Sequence, residues 1–181
     1  ISGTEYMTHN NLRGSVCTAL FRKEILHDLR FPKGILHEDE EFTPQLMLRA
    51  ENLYFTNNKA YYYRKREGSI MHKRDKRWHI RRLADAEQVL YRLKERVDYL
   101  PVKERIAMER RIAQLTMDHI YNVITMTHDE THLDHVLQRL SRHGLFPLPD
   151  KDYTSKYKWF RKMTNSSFGR KTLIMLLRLK G

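Results

Sequence analysis

One cysteine, Cys17, is all that 181 residues provide. It has no partner for an intramolecular disulfide, which excludes a disulfide framework and fits a reducing compartment. Cys17 stands in the apolar run from Gly14 to Phe21, where a small buried place in a strand is expected for it. No apolar run approaches the length of a membrane span, and the first residues show neither the charged start nor the apolar stretch of a signal peptide. The chain therefore reads as cytoplasmic. Glycine is scarce, with seven in all and none between Gly68 and Gly144, and neither an internal repeat nor a low-complexity segment occurs.

What is abundant is positive charge. Lys and Arg number 34 against 22 acids, giving a formal charge of +12 and a pI near 9.9. An anionic partner is the natural expectation, and nucleic acid, anionic lipid and a nucleotide-sugar diphosphate all qualify. The length suits one compact domain, or one body with an appended helical arm.

The first 75 residues read as a small α+β unit. A buried strand is expected at Gly14 to Phe21, a short helix at Arg22 to Leu29, and a turn at Gly34. A helix is expected from Glu38, where Phe42, Leu46 and Ala50 recur at four-residue spacing and the acids suit the helix dipole. Leu53 to Thr56 and Lys59 to Arg66 read as two strands joined at Asn57-Asn58. After His72 long helical patterns take over. Ile80, Leu83, Ala84, Leu90, Leu93, Val97 and Leu100 form one apolar face. Pro101 opens a second helix carrying Ile106, Ile112, Leu115, His119, Ile120, Val123 and Ile124, and the two are expected to pair antiparallel. Thr131 is the expected cap of a third helix, which Gly144 ends. The whole is helix-rich, divided into residues 1–75 and a helical extension at 76–181 with a basic amphipathic tail.

The richest chemistry lies at Glu38-Asp39-Glu40-Glu41, after the apolar approach Phe31 to Leu36. A carboxylate fixed at a strand-to-helix junction can remove a proton from an attacking hydroxyl. The same acids can equally decorate a helix N-terminus, where the dipole stabilises them. Downstream, Arg64 and Arg66 would share one face of a strand, a forked arrangement that suits diphosphate oxygens, with Ser69 and His72 close behind and Gly68 allowing close backbone approach. Read otherwise, these are solvated edge-strand charges. His128, His132 and His135 read as a solvated helix start, with metal binding as the alternative.

Glu38-Asp39 followed by Phe42, together with Tyr63-Arg64 and Gly68-Ser69-Ile70-Met71, resembles the C-terminal half of the family 2 glycosyltransferases over residues 12–72. The resemblance implies the acceptor-side portion of a GT-A fold, with Asp39 as catalytic base and Glu38 preceding it. It implies donor-diphosphate contacts at Arg64, Arg66, Ser69 and His72, with His72 also a candidate metal ligand. Leu20-Phe21-Arg22-Lys23 resembles the strand end bordering the acceptor pocket, so Arg22, His37 and Trp78 are the candidate acceptor-binding residues. Arg74-Asp75-Lys76-Arg77-Trp78 also spells a variant of the Arg/Gln-x-x-Arg-Trp motif of processive members, in which Trp78 would stack on a sugar, although Trp78 equally suits the start of the helical core. The family's nucleotide-binding half and its Asp-x-Asp do not match this sequence. The resemblance therefore implies part of an inverting enzyme, inactive alone. The Mg or Mn ion would be held mainly by the missing half, the donor would be a nucleotide sugar, and the acceptor a glycan or lipid-linked hydroxyl in cell-surface glycan synthesis.

The tail places Lys156, Lys158, Arg161, Lys162, Arg170, Lys171, Arg178 and Lys180 among Trp159, Phe160 and Leu173 to Leu179. Such a helix can lie peripherally on an anionic membrane, or cover the helical bundle with its cations in solvent. The rival to an enzyme is a non-enzymatic basic helical module touching nucleic acid through Arg74, Arg77, Arg81, Arg82 and Arg110, or an anionic membrane surface. No nucleic-acid-binding motif accompanies those arginines.

Overall fold

Asp75 accepts a hydrogen bond from the Arg77 N–H at 3.3 Å and so caps the first long helix, α3, at Lys76–Val97. The computed structural model that shows this describes residues 1–59, 61–64 and 75–178. Chain order gives α1 (Gly3–His9), a 3-10 turn (Lys23–Leu26), α2 (Glu38–Leu48), α3, α4 (Val102–Thr127), α5 (Glu130–Arg142), α6 (Ser155–Asn165) and α7 (Ser167–Arg178). The short connection at residues 98–101 folds α4 back along α3, with Pro101 as the cap of α4, so the expected helix pair is present. The cap of α5 is Asp129, which accepts from the His132 N–H at 3.0 Å, and not Thr131. A carboxylate reaches the free N–H groups of the first turn at least as well as a threonine hydroxyl does. Gly144, at φ +66°, lies just past the end of α5, where a left-handed residue stops a helix.

α4 is the spine. Its Ile120, Val123 and Ile124 meet Leu90, Leu93 and Val97 of α3, Leu133, Val136 and Leu140 of α5, and Leu173 and Ile174 of α7 in one core. Arg110, 4% exposed, ties the N-terminal segment to this spine by donating to the carbonyls of Met7, Asn10 and Asp152. A buried guanidinium spends its donors on carbonyls because each unpaired one is costly. Arg110 is thereby removed from the basic surface expected of it. Arg81 also has partners, the Gly34 carbonyl at 3.0 Å and Asp85 at 3.6 Å.

A second, smaller core forms where residues 14–31 wrap over α2. Phe42 and Leu46 pack with Leu29, and the Phe31 ring stacks on Phe42 with centroids 3.9 Å apart. The helix from Glu38 and the turn at Gly34 (φ +78°) stand as expected.

The strands do not. Among the described residues no strand occurs, so the helix-rich reading holds and the α+β reading is corrected. Gly14 to Phe21 is a loop with Cys17 exposed, and Leu53 to Thr56 and residues 59–64, as far as described, are irregular. A strand needs a neighbour for its N–H and C=O groups, and apolar alternation supplies none. Tyr54 and Tyr62 are 92% and 90% exposed, with no sheet partner beside them among the described residues.

In the tail the apolar residues divide between two faces. Phe160, Leu173 and Ile174 enter the main core, whereas Trp159, Phe168, Met175 and Leu176 stay exposed among the cations. No helix of the described residues is long and apolar enough to cross a membrane.

Candidate functional site

His37 sits in the left-handed region at φ 65° and ends the approach loop, turning the chain into α2. The loop is pinned from α3: the Leu36 N–H donates to Asp85 at 2.9 Å. The first turn of α2 then places its four acids in different surroundings. Glu38 faces solvent, and Asp39 is half-buried. Glu40 pairs with Arg111, and Glu41, only 3% exposed, lies 3.4 Å from Arg92 and 3.6 Å from Arg96.

This division separates structural acids from a free one. Glu41 is a buried acid held by two arginines of α3. Arg111 is 2% exposed and also donates to the Leu12 carbonyl, so one guanidinium ties the start of α2 and the residue-12 loop to α4. The chain passes so close here that a Cβ at Gly14 would stand 2.3 Å from the Glu40 carboxylate. Burial raises the Glu40 pKa in spite of Arg111. Burial, and then the neighbouring Glu38 charge, raise that of Asp39. A half-buried carboxylate with a raised pKa is a better proton acceptor than a solvated one. His37 moves the other way: burial first, then Arg82, lower its pKa, with His119 adding to the same effect.

The structure brings together Glu38, Asp39 and His37 from the residues expected at the site. Arg22 is exposed at the start of the 3-10 turn, and Trp78 is half-buried in the first turn of α3. Arg64 is exposed, and Arg66, Ser69 and His72 lie outside the described residues. Among the described residues no group of three or more His, Cys, Asp and Glu could hold a metal ion. The acids beside Asp39 fit a metal poorly, because Glu40 and Glu41 are already neutralised by arginines.

Two features escaped the sequence reading. Arg110 and Arg111 stand between Ala107-Met108 and Ile112-Ala113 of α4, which is the one sign that they serve the interior. Glu87 gave none. It is buried among Arg139 (2.7 and 2.9 Å), the Tyr91 hydroxyl and, at 3.7 Å, His119 Nε2. Burial would raise the Glu87 pKa, but the Arg139 bonds, then His119 and Tyr91, hold it far below the usual carboxylate range. At 3.7 Å His119 Nε2 lies beyond hydrogen-bond distance of the carboxylate.

Compared with protein-family models, curated proteins and solved structures, the chain matches none.

Proposed function

We propose that the chain is the acceptor-side part of an inverting glycosyltransferase of the family 2 kind, and that Asp39 is its catalytic base. The observation that carries the reading is the division of the acidic turn: Glu38 is solvated and Glu40 and Glu41 are paired with arginines, so Asp39 is the one partly buried acid of the turn with no arginine in contact, and burial raises its pKa. In the reaction Asp39 takes the proton of an acceptor hydroxyl as its oxygen attacks the anomeric carbon. The bond from that carbon to the nucleoside diphosphate breaks on the opposite face, and the diphosphate leaves with the bonding pair. Arg64 and Arg66, with Ser69 and His72, are assigned to the developing charge on that diphosphate by their resemblance to the family. Arg22, His37 and Trp78 remain the acceptor-side assignments. A divalent metal, where the whole enzyme uses one, would be held mainly by the half of the enzyme that does not match this sequence, with His72 the candidate ligand from this chain.

The test is sugar transfer by the full-length enzyme with Asp39→Asn, after circular dichroism shows an unchanged fold. Loss of about 10²- to 10⁴-fold in kcat is expected when a general base is removed. Unchanged transfer removes Asp39 from that role.

A second reading is favoured by the exposed Trp159, Phe168, Met175 and Leu176 amid Lys158, Lys162 and Lys171: the tail docks on an anionic membrane surface. It is compatible with transfer to a lipid-linked acceptor. Co-sedimentation with phosphatidylglycerol vesicles, lost in Trp159→Ser/Phe168→Ser, tests it.

A further inference from the structure

Trp78, Arg81, Arg82 and Asp85 share one side of α3, because helical residues three, four and seven positions apart fall on the same face. Contacts turn that side towards the approach loop. Arg81 donates to the Gly34 carbonyl at 3.0 Å, and Asp85 accepts from the Leu36 N–H at 2.9 Å. Further along the same side Arg92 and Arg96 reach Glu41 of α2. Trp78 and Arg82, one turn apart, therefore stand on the side that faces His37 and the acidic turn. The Arg82 charge is felt at His37, where it adds to burial in lowering the imidazole pKa against the opposing charges of Asp85 and Glu38.

Arg82 differs from the other arginines of this side. Arg81 is engaged by Asp85 and the Gly34 carbonyl, and Arg92 and Arg96 by Glu41. Arg82 is half-buried, yet it has no hydrogen bond or ion pair among the described residues. The acids nearby do not supply one, since Asp85 is taken up by Arg81 and the Leu36 N–H, and Glu38 faces solvent. A guanidinium held partly out of water without a partner keeps its planar fork of donors available, and that fork fits the oxygens of a phosphoryl group. The His37 ring also makes no hydrogen bond among the described residues, and an imidazole N–H can donate to the same group. Beside them Trp78 offers an indole, whose broad apolar face suits the C–H face of a sugar ring.

We infer that Arg82 and His37 bind a phosphoryl group of the acceptor, so that the acceptor is a glycosyl phosphate whose sugar lies on Trp78 and whose free hydroxyl meets Asp39. That the ligand is the acceptor rests on the transferase reading, whereas binding of the phosphoryl group rests on the α3 face alone. Arg82 holds the substrate and takes no part in the bond that breaks, so its loss acts on KM rather than kcat.

The experiment titrates the 181-residue chain with α-D-glucose 1-phosphate, following the His37 ring and Trp78 indole signals by NMR. Saturable shifts at both are expected, with affinity about tenfold lower in Arg82→Gln and for methyl α-D-glucoside, which lacks the phosphate. Arg142→Gln, which removes an exposed cation from α5, should leave the affinity unchanged. Absence of saturable shifts, affinity unchanged in Arg82→Gln, or an equal loss in Arg142→Gln overturns the inference. Inorganic pyrophosphate binding at the same signals about tenfold more tightly than the sugar phosphate also overturns it, by assigning the site to the leaving diphosphate. In the full-length enzyme Arg82→Gln should raise the acceptor KM about tenfold with kcat nearly unchanged. If binding at Arg82 is present while Asp39→Asn leaves transfer intact, the phosphate site stands and the transferase reading falls. Transfer lost in Asp39→Asn without binding at Arg82 is the reverse result.

Discussion

The α3–α5 body and the segment at residues 10–37 hold their shape by different means. In the body, helices of 22, 26 and 13 residues satisfy their own backbone and bury continuous apolar stripes against one another. The 10–37 segment has little regular structure and relies on a few side chains: Arg111 at the Leu12 carbonyl, Arg49 at Asp28, and the Phe31–Phe42 stack. The acidic turn stands where the two meet. A helix is a local solution to the hydrogen-bond problem, whereas irregular chain must borrow partners from elsewhere, so single buried arginines carry more of the N-terminal structure than any one residue carries of the body.

Arg111→Met strikes that borrowed support directly. It strands the Glu40 carboxylate and the Leu12 carbonyl, with an expected loss of about 3 to 5 kcal/mol, or roughly 10 °C in Tm by calorimetry. Adding Glu40→Gln should recover part of the loss, and a double mutant as unstable as the single one would show that the pair is not coupled. In the body, Glu87→Gln loosens the bonds to Arg139 and should cost roughly 2 to 3 kcal/mol at pH 7, read from urea unfolding. Its pH dependence has a definite sign. The folded pKa of Glu87 lies below its ordinary value of 4.5, so its stabilisation is complete above that pH and drains as the pH falls further. The variant should therefore lose less stability on acidification than the wild type. Asp39 and Glu40 work oppositely, because a raised folded pKa favours the folded state below the ordinary carboxylate value and loses that contribution as pH rises. Gly14→Ala pushes a methyl toward the Glu40 carboxylate and should cost about 1 to 3 kcal/mol, with the Arg111–Glu40 contact displaced in a crystal structure. The smallest effect is expected at Tyr62→Ser, within about 0.5 kcal/mol, because that ring is exposed.

Helices were the legible part of the sequence. The stripe Leu90, Leu93, Val97 and the run Ile120, Val123, Ile124 repeat at helical spacing, and their burial follows. The same logic failed at Ile80 and Ala84, since periodicity reports an apolar face without reporting where its partner ends. It failed again at Cys17 and at Leu53 to Thr56, where strand-like composition has no strand beside it. At the acidic turn the residue types marked the cluster and only the family resemblance picked out Asp39, while the arginine pairing of Glu40 and Glu41 was not legible.

The amino-acid order alone determined the long helices, the turn at Gly34, the acidic start of α2 and the basic tail, because each depends on neighbours within a few residues. Tertiary structure decided which acid stays free and that Arg110 and Arg111 are interior struts. Those outcomes depend on groups some 70 to 100 residues apart in the chain, as with Arg111 to Glu40 and to Leu12, and no local pattern encodes such a meeting.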